Sequence, residues 1–195
     1  MTGTTNGELI FEDGTRFKGR SFGFEKSAAG EVVFSTGMVG YPESFTDPSY
    51  KGQILILTYP LVGNYGVPDK FLWESDKLHI SGLVVSNYID TPSHYQSKRT
   101  LAQWLRDEKI PALEISDTRF LAQKLRTKGT MLGKIIVDDP ERSRRIDIDF
   151  YDPNKENLVA QVSTTKIHID TPGVDYSKTR KTVLLIDCGT KENIK

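Results

Sequence analysis

The side chain best placed to bind a ligand is Ser49, which closes the tripeptide Asp47-Pro48-Ser49. Pro48 fixes its own φ and disfavours a helical Asp47, so the sequence predicts that Ser49 is presented on a rigid turn. A serine held in this way can hydrogen-bond a group outside its own segment, or it can simply close the local turn. No serine triad can be assembled around it from the sequence, so Ser49 is predicted to bind rather than to catalyse.

The remaining reactive side chains do not have the spacing of a catalytic centre. Cys188 has no histidine near it in sequence, which favours a buried structural thiol over a nucleophile. Residues 129–134 resemble a phosphate loop only in part, since three residues rather than four separate the glycines and Ile135 replaces the required serine or threonine. No HxH or HExxH spacing occurs, so no metal site is predicted for the three histidines, which are His79, His94 and His168.

The composition suits a packed globular protein. Of 195 residues, 37% are hydrophobic and 10% aromatic, which is enough for a sizeable core. Lys plus Arg and Asp plus Glu both number 26, so no net field favours nucleic acid or an anionic membrane as a partner. The single cysteine and the lack of a signal-like N-terminus lead us to expect a cytoplasmic protein.

Short apolar runs predict the mixed sheet that must position these side chains. Residues 9–11 and 16–20 flank an Asp13-Gly14 pair, which is a strong hairpin signal. The other predicted strands cover residues 30–35, 53–58, 79–89 and 131–137. The loop at residues 59–67 is rich in Gly and Pro, and its apolar side chains are expected to pack on a neighbour. These side chains are Leu61, Val62 and Tyr65.

Two main helices are predicted, over residues 97–109 and 117–128, and both are expected to cover one side of the sheet. The predicted caps and stops are Ser97 and Pro111 for the first helix, and Ser116 or Asp117 and Gly129 for the second. The fold class is therefore α/β, with a mixed sheet in a β/β/α arrangement.

The composition changes after residue 137. Turn-forming residues predominate from 138 to 181, where residues 159–164 are the best candidate for an extended piece. Residues 182–187 then read TVLLID, a continuous apolar run of the kind buried in parallel sheets. The glycine turn and the helix-competent KENIK that follow predict the opening of a βαβ unit that continues in a longer chain.

Four runs of the sequence resemble a known family. They are LIFEDGTRFKGRSFG, GEVVFSTGMVGYPESFTDPSYKGQILILTYPLVGNYG, DTRFLAQKLRTKGTMLGKI and DPNKENLVAQVST. They resemble the N-terminal domain of the small, glutamine amidotransferase subunit of carbamoyl-phosphate synthase. Within this family, the residues are most similar to those of the eukaryotic fused enzymes of pyrimidine biosynthesis. The run LLIDCGTKENIK resembles the first strand and turn of the family's class I glutaminase domain.

The resemblance implies a noncatalytic domain of an enzyme that makes carbamoyl phosphate from glutamine, bicarbonate and ATP for pyrimidine or arginine biosynthesis. In the family, a Cys-His-Glu triad of the glutaminase domain releases ammonia, which reaches the large synthetase portion through a tunnel. Cys188 does not match the catalytic cysteine, so no catalytic residue is expected in this chain. Ser49 matches the family serine that binds glutamine. ATP and Mg are implied only for the synthetase portion, and no cofactor for this chain.

The implied partners are the glutaminase domain, the large synthetase portion and L-glutamine, with the loop at residues 59–67 and the hairpin at Asp13 as candidate contacts. The implied division is a flexible N-terminus at 1–7, a core at 8–137, a domain end and linker at 138–181, and the start of the glutaminase domain at 182–195. The alternatives left open are an ammonia-dependent synthase, a freestanding binding module that shares the fold, and a small enzyme that uses His94 and Asp90.

Overall fold

The computed structural model describes residues 5–138, 147–169 and 183–195. Within these ranges, seven strands close into a barrel in the order β1-β2-β6-β5-β4-β3-β7. The strands are β1 Asn6–Phe11, β2 Arg16–Ser21, β3 Ala28–Ser35, β4 Gln53–Leu57, β5 Gly82–Val85, β6 Ala112–Glu114 and β7 Met131–Val137. Strands β3 to β6 pair in parallel and the other pairs are antiparallel, so the predicted mixed sheet is confirmed, although its closure is not predicted.

Four α-helices surround the barrel in the described ranges: α1 Tyr41–Thr46, α2 Leu101–Asp107, α3 Thr118–Lys128 and α4 Leu158–Val162. Short 3₁₀ turns at Pro48–Tyr50, Lys70–Leu72, Pro153–Lys155 and Glu192–Ile194 complete the regular structure there. No helix in the described part of the chain is long and apolar enough to cross a membrane.

Strand β4 shows how the core is divided into two layers. Ile54 and Ile56 join an apolar cluster to which strands from all around the ring contribute, so this cluster fills the barrel interior. Leu55 and Leu57 point the other way and pack with residues of α1 and α2. Helix α3 belongs to the interior cluster through Leu121 and Leu125. The prediction that both main helices cover one side of the sheet is therefore wrong, because helical periodicity identifies an apolar face but not the layer that it meets.

The helix ends separate a correct prediction from an incorrect one. Asp117 caps α3, since its Oδ1 accepts a hydrogen bond from the Phe120 N–H at 2.9 Å. Ser97 does not cap α2. Thr100 does so, in a reciprocal capping box with Gln103. Residues 98–99 cannot be helical, because the Lys98 N–H and the Arg99 carbonyl are already bonded to the backbone of Val67.

The hairpin at Asp13 is confirmed and is tied to α3. Its carboxylate accepts hydrogen bonds from Lys124 Nζ at 2.6 Å and from Lys128 Nζ at 3.0 Å. The Lys124 bond, followed by the bonds from Thr15, holds the pKa of Asp13 far below its usual range. The tip of this hairpin is thus engaged within the domain.

The second half of the chain departs from the predictions in several places. Residues 158–162 form helix α4, capped by Asn157, rather than an extended piece. Residues 183–187 form no strand and are mostly exposed, while Thr182 and the predicted linker at 170–181 lie outside the described residues. A parallel strand needs a free sheet edge, and the closed ring offers none. Cys188 is exposed, so the prediction of a buried thiol is wrong.

The N-terminal flank of the core differs in detail from the prediction. Strand β1 begins at Asn6, so the last two residues of the segment predicted as flexible are paired in the barrel. Residues 1–4 and 139–146 lie outside the described part of the chain.

Candidate functional site

Ser49 lies in a 3₁₀ turn that directly follows α1. Asp47 ends the helix, and its Oδ1 accepts a hydrogen bond from the Ser49 N–H at 2.9 Å. The Lys51 N–H donates to the Pro48 carbonyl at 3.1 Å and closes the turn. Asp47 and Pro48 are buried whereas Ser49 is exposed. The turn therefore has the geometry that the sequence predicts, and Ser49 lies at the surface, where its hydroxyl also bonds to the Asp47 carboxylate.

The C-terminal end of α1 is tied to the segment that precedes β5. The Glu74 N–H donates to Thr46 Oγ1 at 2.9 Å, and Ser75 Oγ donates to the Thr46 carbonyl at 2.6 Å. His79 Nε2 lies 3.1 Å from Ser75 Oγ, and its backbone N–H donates to the Phe45 carbonyl at 2.8 Å. These bonds fix the helix end from which the Ser49 turn projects.

His79 is buried and takes part in this support. Burial lowers the pKa of His79 to about 4, and the nearby charges of Lys77 and Lys51 act in the same direction. In this position a neutral imidazole can form one hydrogen bond with the Ser75 hydroxyl. In the described ranges, no group of three or more His, Cys, Asp or Glu side chains is placed to hold a metal ion.

Residues 187–195 pack against the same turn. Lys191 Nζ lies 2.8 Å from Asp47 Oδ2, and the Glu192 N–H donates to the Glu74 carbonyl at 3.0 Å. Burial alone would raise the pKa of Asp47, but the hydrogen bonds from Lys191 and Ser49 outweigh it and the pKa is lowered. Because the bond to Asp47 raises the pKa of Lys191, both groups are charged at neutral pH.

A glycine makes this close packing possible. Gly189 has a φ of 99°, and a Cβ there would lie 2.7 Å from Val162 Cγ2 and 3.2 Å from Pro48 Cβ. The carboxylate of Asp187 accepts hydrogen bonds from the N–H groups of Gly189 at 2.8 Å and Thr190 at 2.7 Å. These bonds fix the conformation of residues 187–190 where they contact Pro48. The Ser49 turn and residues 187–191 therefore lie next to each other on the molecule.

The other predicted side chains are not gathered at this site. Asp90 accepts a hydrogen bond from the Tyr88 hydroxyl at 2.9 Å, whereas His94 Nδ1 accepts one from the Gln96 N–H at 3.3 Å. Each side chain is thus held within its own turn, and nothing in this geometry supports a catalytic pair.

The loop at residues 59–67 divides its apolar side chains between the core and the surface. Val62 is buried and Tyr65 packs on Tyr41, as expected of a loop that rests on a neighbour. Leu61 is 43% exposed and has a φ of 68°, which is unusual for a residue other than glycine. Met38 and Val39 are also exposed, in a depression whose wall includes Val62.

Ser49 does not line either of two depressions on the described surface. Ser49 is absent from the wall of the depression beside Met38 and from that of the larger cleft of about 490 Å³ beside His79. Small-molecule sites usually enclose most of the ligand surface. The exposed turn can therefore supply one contact to a ligand but cannot enclose it alone.

Comparison with known proteins identifies relatives for most of the chain. Residues 9–135 match the family model described as carbamoyl-phosphate synthase small chain, CPSase domain. The chain is 45% identical to the multifunctional protein pyr1-3 of Dictyostelium discoideum over 96% of its length and 9% of that protein. It is also 45% identical to the mitochondrial carbamoyl-phosphate synthase [ammonia] of Mus musculus, over 95% of this chain and 12% of that one.

A shorter relative aligns over the same region. The carbamoyl phosphate synthase arginine-specific small chain of Saccharomyces cerevisiae is 45% identical over 97% of this chain and 47% of its own length. The chain thus spans less than half of each of these relatives.

Proposed function

Because the chain belongs to the carbamoyl-phosphate synthase small-chain family, we propose that it is the noncatalytic N-terminal domain of a glutamine-dependent carbamoyl-phosphate synthase. The parent enzyme would make carbamoyl phosphate from glutamine, bicarbonate and ATP in the cytoplasm, at the first step of pyrimidine or arginine biosynthesis. Hydrolysis of glutamine belongs to the glutaminase domain, and ATP and Mg belong to the large synthetase portion. The N-terminal domain formed by this chain docks the glutaminase domain on the synthetase portion.

The role of Ser49 is to orient glutamine. The Ser49 hydroxyl can accept a hydrogen bond from the α-ammonium group of glutamine while it donates to Asp47, or it can donate to the α-carboxylate of glutamine in place of that bond. Such a contact holds the substrate amide in place for attack without taking part in bond breaking. The observation that supports this role is the position of Ser49, exposed on a rigid turn against which residues 187–195 pack.

Two apolar surfaces support the docking role. Val183, Leu184 and Ile186 are each more than three-quarters exposed, although the sequence TVLLID is typical of a buried strand. We assign this segment to the start of the glutaminase domain, where a sheet would cover it. The exposed Leu61, with Met38 and Val39, forms the contact proposed for the synthetase portion.

Replacement of Ser49 in the full-length protein tests this function. Ser49→Ala is expected to raise the KM for glutamine about tenfold, the worth of one hydrogen bond to a charged group. Carbamoyl phosphate synthesis from ammonia is expected to remain at the parent rate. Steady-state kinetics with each nitrogen source measures both quantities.

Ser93→Ala provides the control, since Ser93 is also an exposed serine but lies on another loop. This variant should leave both activities unchanged. An equal loss of glutamine-dependent and ammonia-dependent synthesis in Ser49→Ala would count against an orienting role, and a parent protein that uses only ammonia would identify it as the ammonia-dependent type.

A further inference from the structure

Helix α1 carries the Ser49 turn at its C-terminal end, but its N-terminal end has no cap from its own segment. The N-cap residue is Gly40, with a φ of 82° and no side chain to accept a hydrogen bond. Helix starts leave several backbone N–H groups without a partner, and Pro42 removes only one of them. A helix of six residues is also far too short to be stable by itself. Its orientation must therefore be fixed from outside.

Tyr65, on the loop after β4, provides the missing acceptor. Its hydroxyl oxygen accepts hydrogen bonds from the N–H groups of Gly40 at 2.9 Å and Tyr41 at 3.1 Å. The rings of Tyr65 and Tyr41 are stacked, with centroids 4.3 Å apart and an interplanar angle of 22°. In return, the Tyr41 hydroxyl donates to the Gly66 carbonyl. Each tyrosine thus binds the backbone of the other's segment, and the loop and the helix start are clamped together.

We propose that Tyr65 is a positioning residue for the glutamine site, acting on Ser49 through α1; this inference rests on the function proposed above. The helix is about 9 Å long, so Tyr65 sits at the far end of α1 from the Ser49 turn. The start of the helix is held by the two bonds to the Tyr65 hydroxyl and by the Tyr41 bond to Gly66, and its end is held by bonds to Phe45 and Thr46. Loss of the two Tyr65 bonds loosens the start of the helix relative to its end, which shifts the turn that follows it.

Tyr65→Phe in the full-length protein is the informative variant, because it removes the oxygen and keeps the stacked ring. We expect the KM for glutamine to rise about fivefold, since two amides lose their shared acceptor. Ammonia-dependent synthesis should stay at the parent rate, which also shows that the variant is folded. The control is Tyr95→Phe, at a tyrosine that is 86% exposed, and it should change neither quantity.

A double-mutant cycle separates positioning from a merely structural effect. If Tyr65 acts through Ser49, then Tyr65→Phe should add nothing to the KM in a Ser49→Ala background. Additive effects of the two substitutions, or a parallel loss of ammonia-dependent synthesis, would overturn the inference.

The cycle also distinguishes this inference from the function on which it rests. A raised KM in Ser49→Ala with a parent-like Tyr65→Phe would overturn the role of Tyr65 alone. A parent-like KM in Ser49→Ala would overturn the proposed glutamine contact and the role of Tyr65 with it.

Discussion

Asp47 holds the Ser49 turn together by using its two carboxylate oxygens for different tasks. Oδ1 accepts from the Ser49 N–H and shapes the 3₁₀ turn, while Oδ2 binds Lys191. A carboxylate can accept several hydrogen bonds when it is ionised, and both bonds here stabilise that form. The turn itself could be predicted from Pro48 because the constraint is local. The bond to Lys191 could not, since the two residues are 144 positions apart.

At the same scale, His79 is expected to make stability depend on pH in the acid range. Its pKa is about 4 in the folded protein and near 6.5 in an unfolded chain, so the unfolded state takes up a proton first as the pH falls. The free energy of unfolding should therefore decrease from about pH 6.5 to about pH 4. His79→Gln keeps a partner for Ser75 but cannot titrate, so its profile should be flatter in this range.

Urea denaturation of the chain at a series of pH values measures this effect. His94→Gln is the matched control, because His94 is exposed, and its profile should follow that of the parent. A His79→Gln profile as steep as the parent's would show that other groups cause the acid sensitivity.

The helices show which features of an element can be inferred from local sequence. The predicted start and stop of α3 agree with the structure because Asp117 and Gly129 act on their own helix. The start of α2 was misplaced because the backbone of residues 98–99 pairs with the distant Val67. Helix α1 is not among the helices that the sequence predicts. Its local signal is confined to Pro42 at the second position and to Tyr41 and Phe45 at a spacing of four.

At the level of elements, Thr100→Ala is expected to destabilise the chain by about 1 kcal/mol. The substitution removes the acceptor for the Gln103 N–H and so breaks the capping box of α2. Ser97→Ala, at the position suggested by sequence, should cost clearly less, since the Ser97 hydroxyl makes only a long bond of 3.4 Å to the Arg99 carbonyl. Urea-induced unfolding of both variants gives the comparison, and an equal loss in the two would contradict the assignment of the cap.

Most strands of the barrel could be predicted from sequence, but their order and closure could not. Six of its seven strands were found from hydrophobic patterns, and only the three-residue β6 was too short to give one. Closure depends on β7, which pairs with β1 on one side and β3 on the other, and these partners are about 100 to 130 residues away in sequence. Hydrophobic alternation sets which face of each strand is buried, but it does not specify the neighbours in the ring.

Substitution of Gly30 tests how closely the barrel backbone packs around this residue. It lies opposite Gly133 in the β3–β7 pair, and a Cβ on Gly30 would collide with the Gly52 carbonyl oxygen, which is backbone and cannot rotate away. Gly30→Ala should therefore destabilise the chain by about 1–3 kcal/mol. Gly37→Ala is the control, since its Cβ would meet other atoms no closer than 3.5 Å, and it should change stability by less than about 0.5 kcal/mol.

Thermal or urea unfolding of the two glycine variants decides the matter. Equal midpoints would mean that the backbone around Gly52 yields easily and that the ring is less tightly closed than the contacts indicate.

The closed ring removes the strand edges as sites of self-association. Since each strand is paired on both sides, the barrel offers no edge to which a strand from another molecule could add. The apolar run at residues 183–186 has no such protection, and it combines β-branched and aliphatic side chains without a charge. Copies of this chain in solution would therefore associate first through residues 183–186. A sheet that buries this run would also keep the protein monodisperse.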